Sequence, residues 1–508
     1  MPTTQAVLPN SPARPRLAPA AWPAKTPCMA PAMTPCTAPA MTPCTAAVTT
    51  PRNTPVMVPV VVSDTTGSKL ASVRTAMLAA LLALVLAGVV ECVSRPVRAA
   101  DAGIADFPAL DAQRDWPWWR GPSRNGWSTA SSAGAPVTWS EQNAVAWRTP
   151  VPGRGHSSPI VVDGKIFLTT ADTNRQVHSV LGFALATGKP LWKVDVSQGG
   201  FPERNHPKNT EATSTVASDG ERLFATFFHH QKVELFALGF DGKPLWRKVA
   251  GPFDPQRYEY GYAPSPLIYK DSVIVAGEYD GDSFLAAFNR KTGAEKWRQS
   301  RPSNITFSSP VVAHVAGRDQ MLLSGAGAVS SFDPETGKPL WSAPGTTAAT
   351  CGTMVWDGDI VVASGGYPKA ETIAFKADGS GREMWKNNQK CYEQSLIAWK
   401  GYVYGLTDGG VMYCWEVATG REMWKQRLRG PVSSSPVMAG DRIYWTNELG
   451  TTYVFRPNPE KFELLAENQL GVEGFASPAL SGSRLLLRAA LGSGKDRQEF
   501  LYCLEGKK

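Results

Sequence analysis

TGKPLW at residues 187–192 returns as TGKPLW at 336–341, with DGKPLW at 241–246 and TGAEKW at 292–297 between them. A turn pair followed at once by a tryptophan, spelled again and again, is either a set of ligand platforms or a joint used once per structural unit. The flanks decide. Each copy stands between two runs rich in Val, Ile, Leu and Tyr, the residues that fit a sheet buried on both faces. The Gly of the pair closes a short hairpin, where the backbone often needs positive φ.

A second phrase, strand–turn–strand, alternates with the first. HSSPIVVDGKIFLTT begins it at residue 156, and FASPALSGSRLLLRA ends it at 475. Eight copies are anchored at Ser158, Ser214, Ser265, Ser309, Gly352, Ser395, Ser435 and Ser477, with a mean spacing of about 46 residues. Asp163-Gly164, Asp219-Gly220 and Asp357-Gly358 are tight-hairpin pairs. Two hairpins per period make four antiparallel strands, the size of one propeller blade. There are eight inner hairpins but only seven outer ones between them, because the chain ends soon after FLYCLEGKK. AVAWRTPV at 144–151 precedes the first inner hairpin and supplies the missing outer strand. The expected fold is therefore all-β: an eight-bladed propeller of four-stranded antiparallel blades, with the N-terminal strand closing the last blade and removing two sheet edges. In that frame Trp147, Trp192, Trp246, Trp297, Trp341, Trp385 and Trp424 take one fixed outer-strand place, filled by Leu464 in the last copy. A Trp there is a joint: its ring packs on the neighbouring blade and its N–H finds a backbone carbonyl.

The 508 residues divide into four parts: 1–68, 69–99, 100–143 and 144–508. Residues 1–68 are Pro/Thr/Ala-rich and include the eight-residue repeat TPCMAPAM, TPCTAPAM, which reads as disorder or as a start codon placed too far upstream. Lys69 and Arg74 precede an uncharged apolar run at 76–90, short for a membrane span and right for an export signal, with a small-residue cut site before Ala100. An uncleaved anchor, attaching the chain to the inner membrane through residues 76–90, is the alternative. Either way the mature part is expected outside the cytoplasm, in the periplasm or cell envelope. Residues 100–143 form a Trp-rich strap, DWPWWRGPSRNGWS at 115–128 being its core. Residues 144–508 are the propeller, expected as a monomer.

Charge excludes one partner class. Most of the formal +8 sits in residues 1–100, where eight Lys/Arg face Asp64 and Glu91 alone. The remainder has little basic character, so nucleic acid is not implied. Eight cysteines occur, four of them before the cut. Cys351, Cys391, Cys414 and Cys503 have no CxxC or CxxCH spacing, which gives neither a metal nor a haem motif. Cys351 and Cys391 precede the inner strands of adjacent blades and are expected either as an inter-blade disulfide or as two free thiols. Cys414 and Cys503, at matching YCxE positions, read as small core residues. The six histidines form no HExxH, and EYDGDS at 278–283 reads as a turn rather than a cation loop.

The segments at 184–192, 332–341 and 415–424 carry forms of A-x-D-x-x-T-G-K-x-x-W. The chain therefore resembles the pyrroloquinoline-quinone (PQQ) repeat family of quinoprotein-like propellers, from about Trp116 to Cys503. That resemblance implies quinoprotein dehydrogenases, scaffold propellers for outer-membrane assembly, and exported bacterial propellers as relatives. The dehydrogenases imply PQQ with calcium in the axial channel and an Asp base; alcohol-oxidising members add a vicinal Cys pair, which this chain lacks. The expectation is thus an exported non-catalytic scaffold holding an envelope protein or polymer. The alternatives are a PQQ-dependent alcohol or sugar dehydrogenase and a carbohydrate-binding propeller using the aromatic loop at 258–262. Binding is expected where loops enter the innermost strands. The candidates there are His156, Arg204, His206, Asn209, Glu211, Arg257, Tyr260, Asn304, Glu393 and Arg429.

Overall fold

A computed structural model describes residues 103–128 and 135–506, all within the compact unit Glu91–Lys508. The tract at 1–68 and the signal or anchor at 69–99 lie outside the described residues. Among the described residues no helix is long and apolar enough to cross a membrane.

Eight antiparallel sheets follow one another along the chain. Blade 1 shows the pattern: Ile160–Val162, Lys165–Asp172, Val177–Ala184 and Pro190–Gln198, each paired with the next. The three inner strands are buried almost throughout, while the fourth is half exposed. The remaining innermost strands are Ala217–Ser218, Leu267–Tyr269, Val311–Val315, Val355–Asp357, Ile397–Trp399, Val437–Ala439 and Ala479–Ser481. Blade 8 is completed by Val145–Val151, which pairs antiparallel with Gln498–Glu505 and sets Trp147 opposite Cys503. The first strand of the ring thus closes the last blade, and no outer edge is left open where the circle meets.

The repeated phrase is a joint with two halves. Trp147, Trp192, Trp246, Trp385 and Trp424 donate their indole N–H to Leu185 O, Phe240 O, Arg290 O, Val417 O and Asn458 O, each in the next blade. The second half is the Gly of the next blade's turn, which lies against the ring. A methyl at Gly188 would come within 2.4 Å of Trp147, and one at Gly420 within 2.5 Å of Trp385. These glycines have positive φ and leave room for an indole face at the same time. Two copies depart from the rule. Trp341 donates to Gln320 Oε1, and Gln320 Nε2 passes the bond on to Ala377 O in the next blade. Trp297 lies on Gly337, but its buried N–H has no partner among the described residues.

Cys351 and Cys391 are both free, which corrects the disulfide alternative. Their side chains face different places. Cys391 is buried among Val362, Trp385 and Leu396 between two blades, whereas Cys351 lines the axial cavity described below. Cys414 and Cys503 are buried in the core. Glu278 of the EYDGDS turn is buried against Arg301 at 2.5 Å, so its carboxylate is already engaged.

Candidate functional site

In a propeller the innermost strands present open edges to the axis, and their backbone groups need partners. The structure meets that need from the lower end, where each inner hairpin turns. The strap at 115–128 threads there. Trp116 exchanges backbone bonds with Val161 of blade 1, and Ser218 of blade 2 donates to Pro117 O. Arg124 reaches Ile268 O of blade 3, and Asn125 bonds both backbone groups of Trp356 in blade 5. Arg120 forks onto Leu396 O of blade 6 and Pro436 O of blade 7. Trp127–Ser128 then runs parallel to Val437–Ala439 as a fifth strand. Arg120 and Arg124 are buried, and burial pushes both guanidinium pKa values down to about 9. Arg124 is also held over the Trp118 ring at 4.1 Å. The strap seals the bottom of the channel.

Above this plug the eight blades contribute one hydroxyl each. Ser158 N donates to Thr215 Oγ1, Thr215 N to Ser265 Oγ, and Ser265 N to Ser309 Oγ, at 2.9–3.1 Å. Thr353 N donates to Ser395 Oγ, Ser395 N to Ser435 Oγ, Ser435 N to Ser477 Oγ, and Ser477 N back to Ser158 Oγ. Thr353 Oγ1 accepts the indole N–H of Trp119 at 2.8 Å, which ties the strap to the belt. The sequence anchors Ser214 and Gly352 are each one residue too early: Thr215 and Thr353 are the belt members.

The belt generates the rim. In extended backbone, residues two apart point the same way. The residues two before each belt hydroxyl are His156, Thr213, Ala263, Phe307, Cys351, Glu393, Ser433 and Phe475, and all eight line one axial funnel. Its volume is about 930 Å³ with the open mouth included. Trp119 lies at the plug end. Two aromatic stacks stand in the wall: His156 on Phe475 at 4.4 Å and 11°, and Tyr260 on Phe307 at 6.0 Å and 28°.

The charged groups at the mouth are joined. Lys208 Nζ lies 2.8 Å from Glu448 Oε1. Ser433 Oγ contacts that same Glu448 oxygen at 2.7 Å and also Glu393 Oε2. A hydroxyl has one hydrogen, so Ser433 donates to one of these carboxyls at a time. Burial raises the Glu393 pKa, the Ser433 bond and Lys208 oppose this, and Glu448 and Asp408 add to the rise. Burial works against the Lys208 ammonium, but the Glu448 bond and the neighbouring carboxylates hold its pKa above the usual lysine value. His156 is kept neutral, first by burial and then by Arg154, Arg488 and Arg497.

Of the ten candidates read from the loops, the funnel gathers His156, His206, Asn209, Tyr260 and Glu393. The other five stand elsewhere. Arg204 is exposed and paired with Glu259 at 3.1 Å, and Arg257 is exposed. Arg429 is exposed and binds Tyr453 through its backbone. Asn304 donates to Ala326 O, in the turn between the second and third strands of blade 4. Glu211 turns inward, bonded to Asn205 and with its pKa raised by burial. Loop polarity alone did not separate these groups. The position two before the belt picks out His156 and Glu393, and it would have brought in Phe307, Ser433 and Phe475. Glu448 comes from a different loop, with no motif to mark it.

The loop that carries His206, Lys208 and Asn209 rests on a buried histidine. His178 stacks on Phe201 and Phe227 with centroids 4.4 and 4.5 Å away, and its Nδ1 lies 2.7 Å from Ser197 Oγ. Burial, then His229, pushes its pKa down to about 3. The unfolded histidine titrates near 6.5, so as pH falls the unfolded chain takes up this proton first. The stability is full above about pH 6.5 and is lost as pH falls toward the folded value. From pH 7 to pH 5 His178 alone should cost about 2 kcal/mol. Glu211 and Glu278 shift upward and act in the opposite sense, so a variant comparison isolates the histidine. Denaturant unfolding of His178→Phe should show a loss between these pH values smaller by about 2 kcal/mol than that of the parent. Equal losses would remove His178 as the source.

Comparison with known proteins places this architecture. The family model described as outer membrane protein assembly factor BamB matches residues 110–207, 176–411 and 369–457. The BamB of Burkholderia pseudomallei (strain K96243) is 24% identical over 353 residues, covering 66% of this chain and 82% of that relative. Among solved structures, BamB from Moraxella catarrhalis superposes with a TM-score of 0.50 at 17% identity, covering 70% of this chain and 96% of that one. A europium-containing methanol dehydrogenase superposes at 0.58 with 12% identity, covering 79% and 100%. At those identities the solved structures speak for the fold alone. With matches spanning most of the eight blades, the chain belongs to the PQQ-repeat propeller family described as outer membrane protein assembly factor BamB.

Proposed function

We propose that the protein is a non-catalytic binding scaffold of the cell envelope, holding an envelope protein or polymer at the loop face around the funnel. The observation that carries this reading is the joined chain of Lys208, Glu448, Ser433 and Glu393. Pyrroloquinoline quinone is a flat tricarboxylate. Trp119 would offer it a surface, but the funnel lining has one lysine, already bonded to a carboxylate, and a second carboxyl beside it. His156 is held neutral, and Arg204, Arg257 and Arg429 stay outside. Two acids against one spent cation do not fit such an anion. The same two carboxyls are engaged by Ser433 and Lys208 rather than free to ligate a metal. Membership of a family described as an assembly factor supports the same reading.

The test has two arms on the full chain. Adding the quinone with calcium or a lanthanide should leave the melting temperature unchanged and reduce no electron-accepting dye. A photo-crosslinking residue at Arg257, on the loop face, should capture an envelope partner in cells, while one at Lys400, in a turn at the plugged end, should not. A saturable quinone shift with dye reduction would replace the scaffold with an oxidoreductase.

A further inference from the structure

The funnel is blind at one end, open at the other, and lined on a repeating plan, which is how a built ligand pocket differs from a drain. Eight blades place members four apart on opposite sides of the axis. Phe475 of blade 8 therefore faces Phe307 of blade 4, and each carries a second ring, His156 and Tyr260 respectively. Between these π faces the wall is polar. Glu393 and Ser433 occupy blades 6 and 7, and Asn209 and Thr213 come from the blade 2 side. The deeper wall is the belt of hydroxyls. His156 Nε2 is buried and has no hydrogen-bond partner among the described residues.

Three ligand classes can be weighed against this lining. An anion meets the Glu393 carboxyl and a lysine already bonded to Glu448. An alkyl chain would set the belt hydroxyls against hydrocarbon, at a cost for each one left unpaired. A neutral ring with apolar faces and a hydroxylated edge matches both kinds of wall at once. Its faces meet the opposed aromatics, and its edge finds mixed donors and acceptors.

We infer that the funnel is a carbohydrate subsite that takes one neutral sugar ring end-on from the loop face, between the Phe475–His156 and Phe307–Tyr260 stacks. This deepens the scaffold reading by naming a polysaccharide as the polymer, and it rests on that reading's claim that the funnel holds no quinone.

The experiment uses the full chain with glucose, galactose, mannose, N-acetylglucosamine, maltotriose and chitotriose, read by calorimetry and by saturation-transfer NMR. At least one neutral sugar should bind saturably, with its ring C–H protons saturated most strongly. Phe475→Leu and Phe307→Leu keep apolar volume but remove a π face, and each should weaken binding by up to about tenfold while the melting curve stays cooperative. Lys400→Ala, in a turn at the plugged end, should leave affinity unchanged. If no sugar of the panel binds at tens of millimolar, or if both Leu variants bind as the parent does, the subsite is refuted. A protein adduct at Arg257 without sugar binding would refute the subsite and leave the scaffold standing. Quinone binding would overturn both.

Discussion

Arg120→Ala should lower the unfolding free energy by about 3–5 kcal/mol, seen as a fall in denaturant midpoint at unchanged m-value. The side chain is buried and lies against Gly126, where even a methyl would come within 2.2 Å of the guanidinium. Its nitrogens hold Pro436 O at 2.8 Å, Leu396 O at 2.6 Å and Asn125 O at 3.2 Å. Removing it leaves these carbonyls without a partner in a dry site, and an unsatisfied buried group costs about 1–3 kcal/mol. Lysine keeps the charge but not the planar fork, so Arg120→Lys should recover only part of the loss. A loss under about 1 kcal/mol for alanine would mean that the strap is ornamental and that the inner edges tolerate water.

Trp385→Ala should cost a similar amount, about 3–5 kcal/mol, because it empties one inter-blade joint. Trp385 is buried, and its N–H donates to Val417 O at 2.7 Å. The partner half is Gly420, with φ of 73° and room for no more than the indole face. Gly420→Ala meets two penalties, the left-handed backbone and the clash with Trp385, together about 2–4 kcal/mol. Gly358→Ala supplies the control: its φ is also positive, at 55°, but its space is open, so only the backbone penalty of about 1 kcal/mol applies. In the double variant Trp385→Ala/Gly420→Ala the clash is gone. The two losses should then fall short of additive by about 1 kcal/mol or more, measured by a double-mutant cycle. Strict additivity would deny that the two residues form one joint.

The blade count and its closure were readable because both rest on periodicity. Strand–turn alternation and the surplus of one inner hairpin are properties of spacing, and Val145–Val151 takes the expected place beside Gln498–Glu505. The Trp joint was readable for the same reason, although Gln320 as a relay for Trp341 was not: a glutamine in a strand carries no mark of what it will bridge. The site was half legible. Loops chosen for polarity yielded His156, His206, Asn209, Tyr260 and Glu393, but the same criterion also picked Arg204, Glu211, Arg257, Asn304 and Arg429, which are exposed or bonded elsewhere. Cys351 and Cys391 lie near equivalent points of neighbouring repeats, yet the thiols face a cavity and a core respectively.

By itself, the sequence determined the repeat, the number of blades, the closing strand and the Trp–Gly joints. Those features follow from local hydrogen bonding and side-chain period, which act over a few residues. The tertiary structure alone decided that residues 115–128 plug the channel and that eight hydroxyls form a belt. It also brought Lys208 to Glu448 from a loop 240 positions away. Such meetings depend on closing the ring, which brings distant loops to one axis, and no local pattern marks Lys208 and Glu448 as the side chains that meet there.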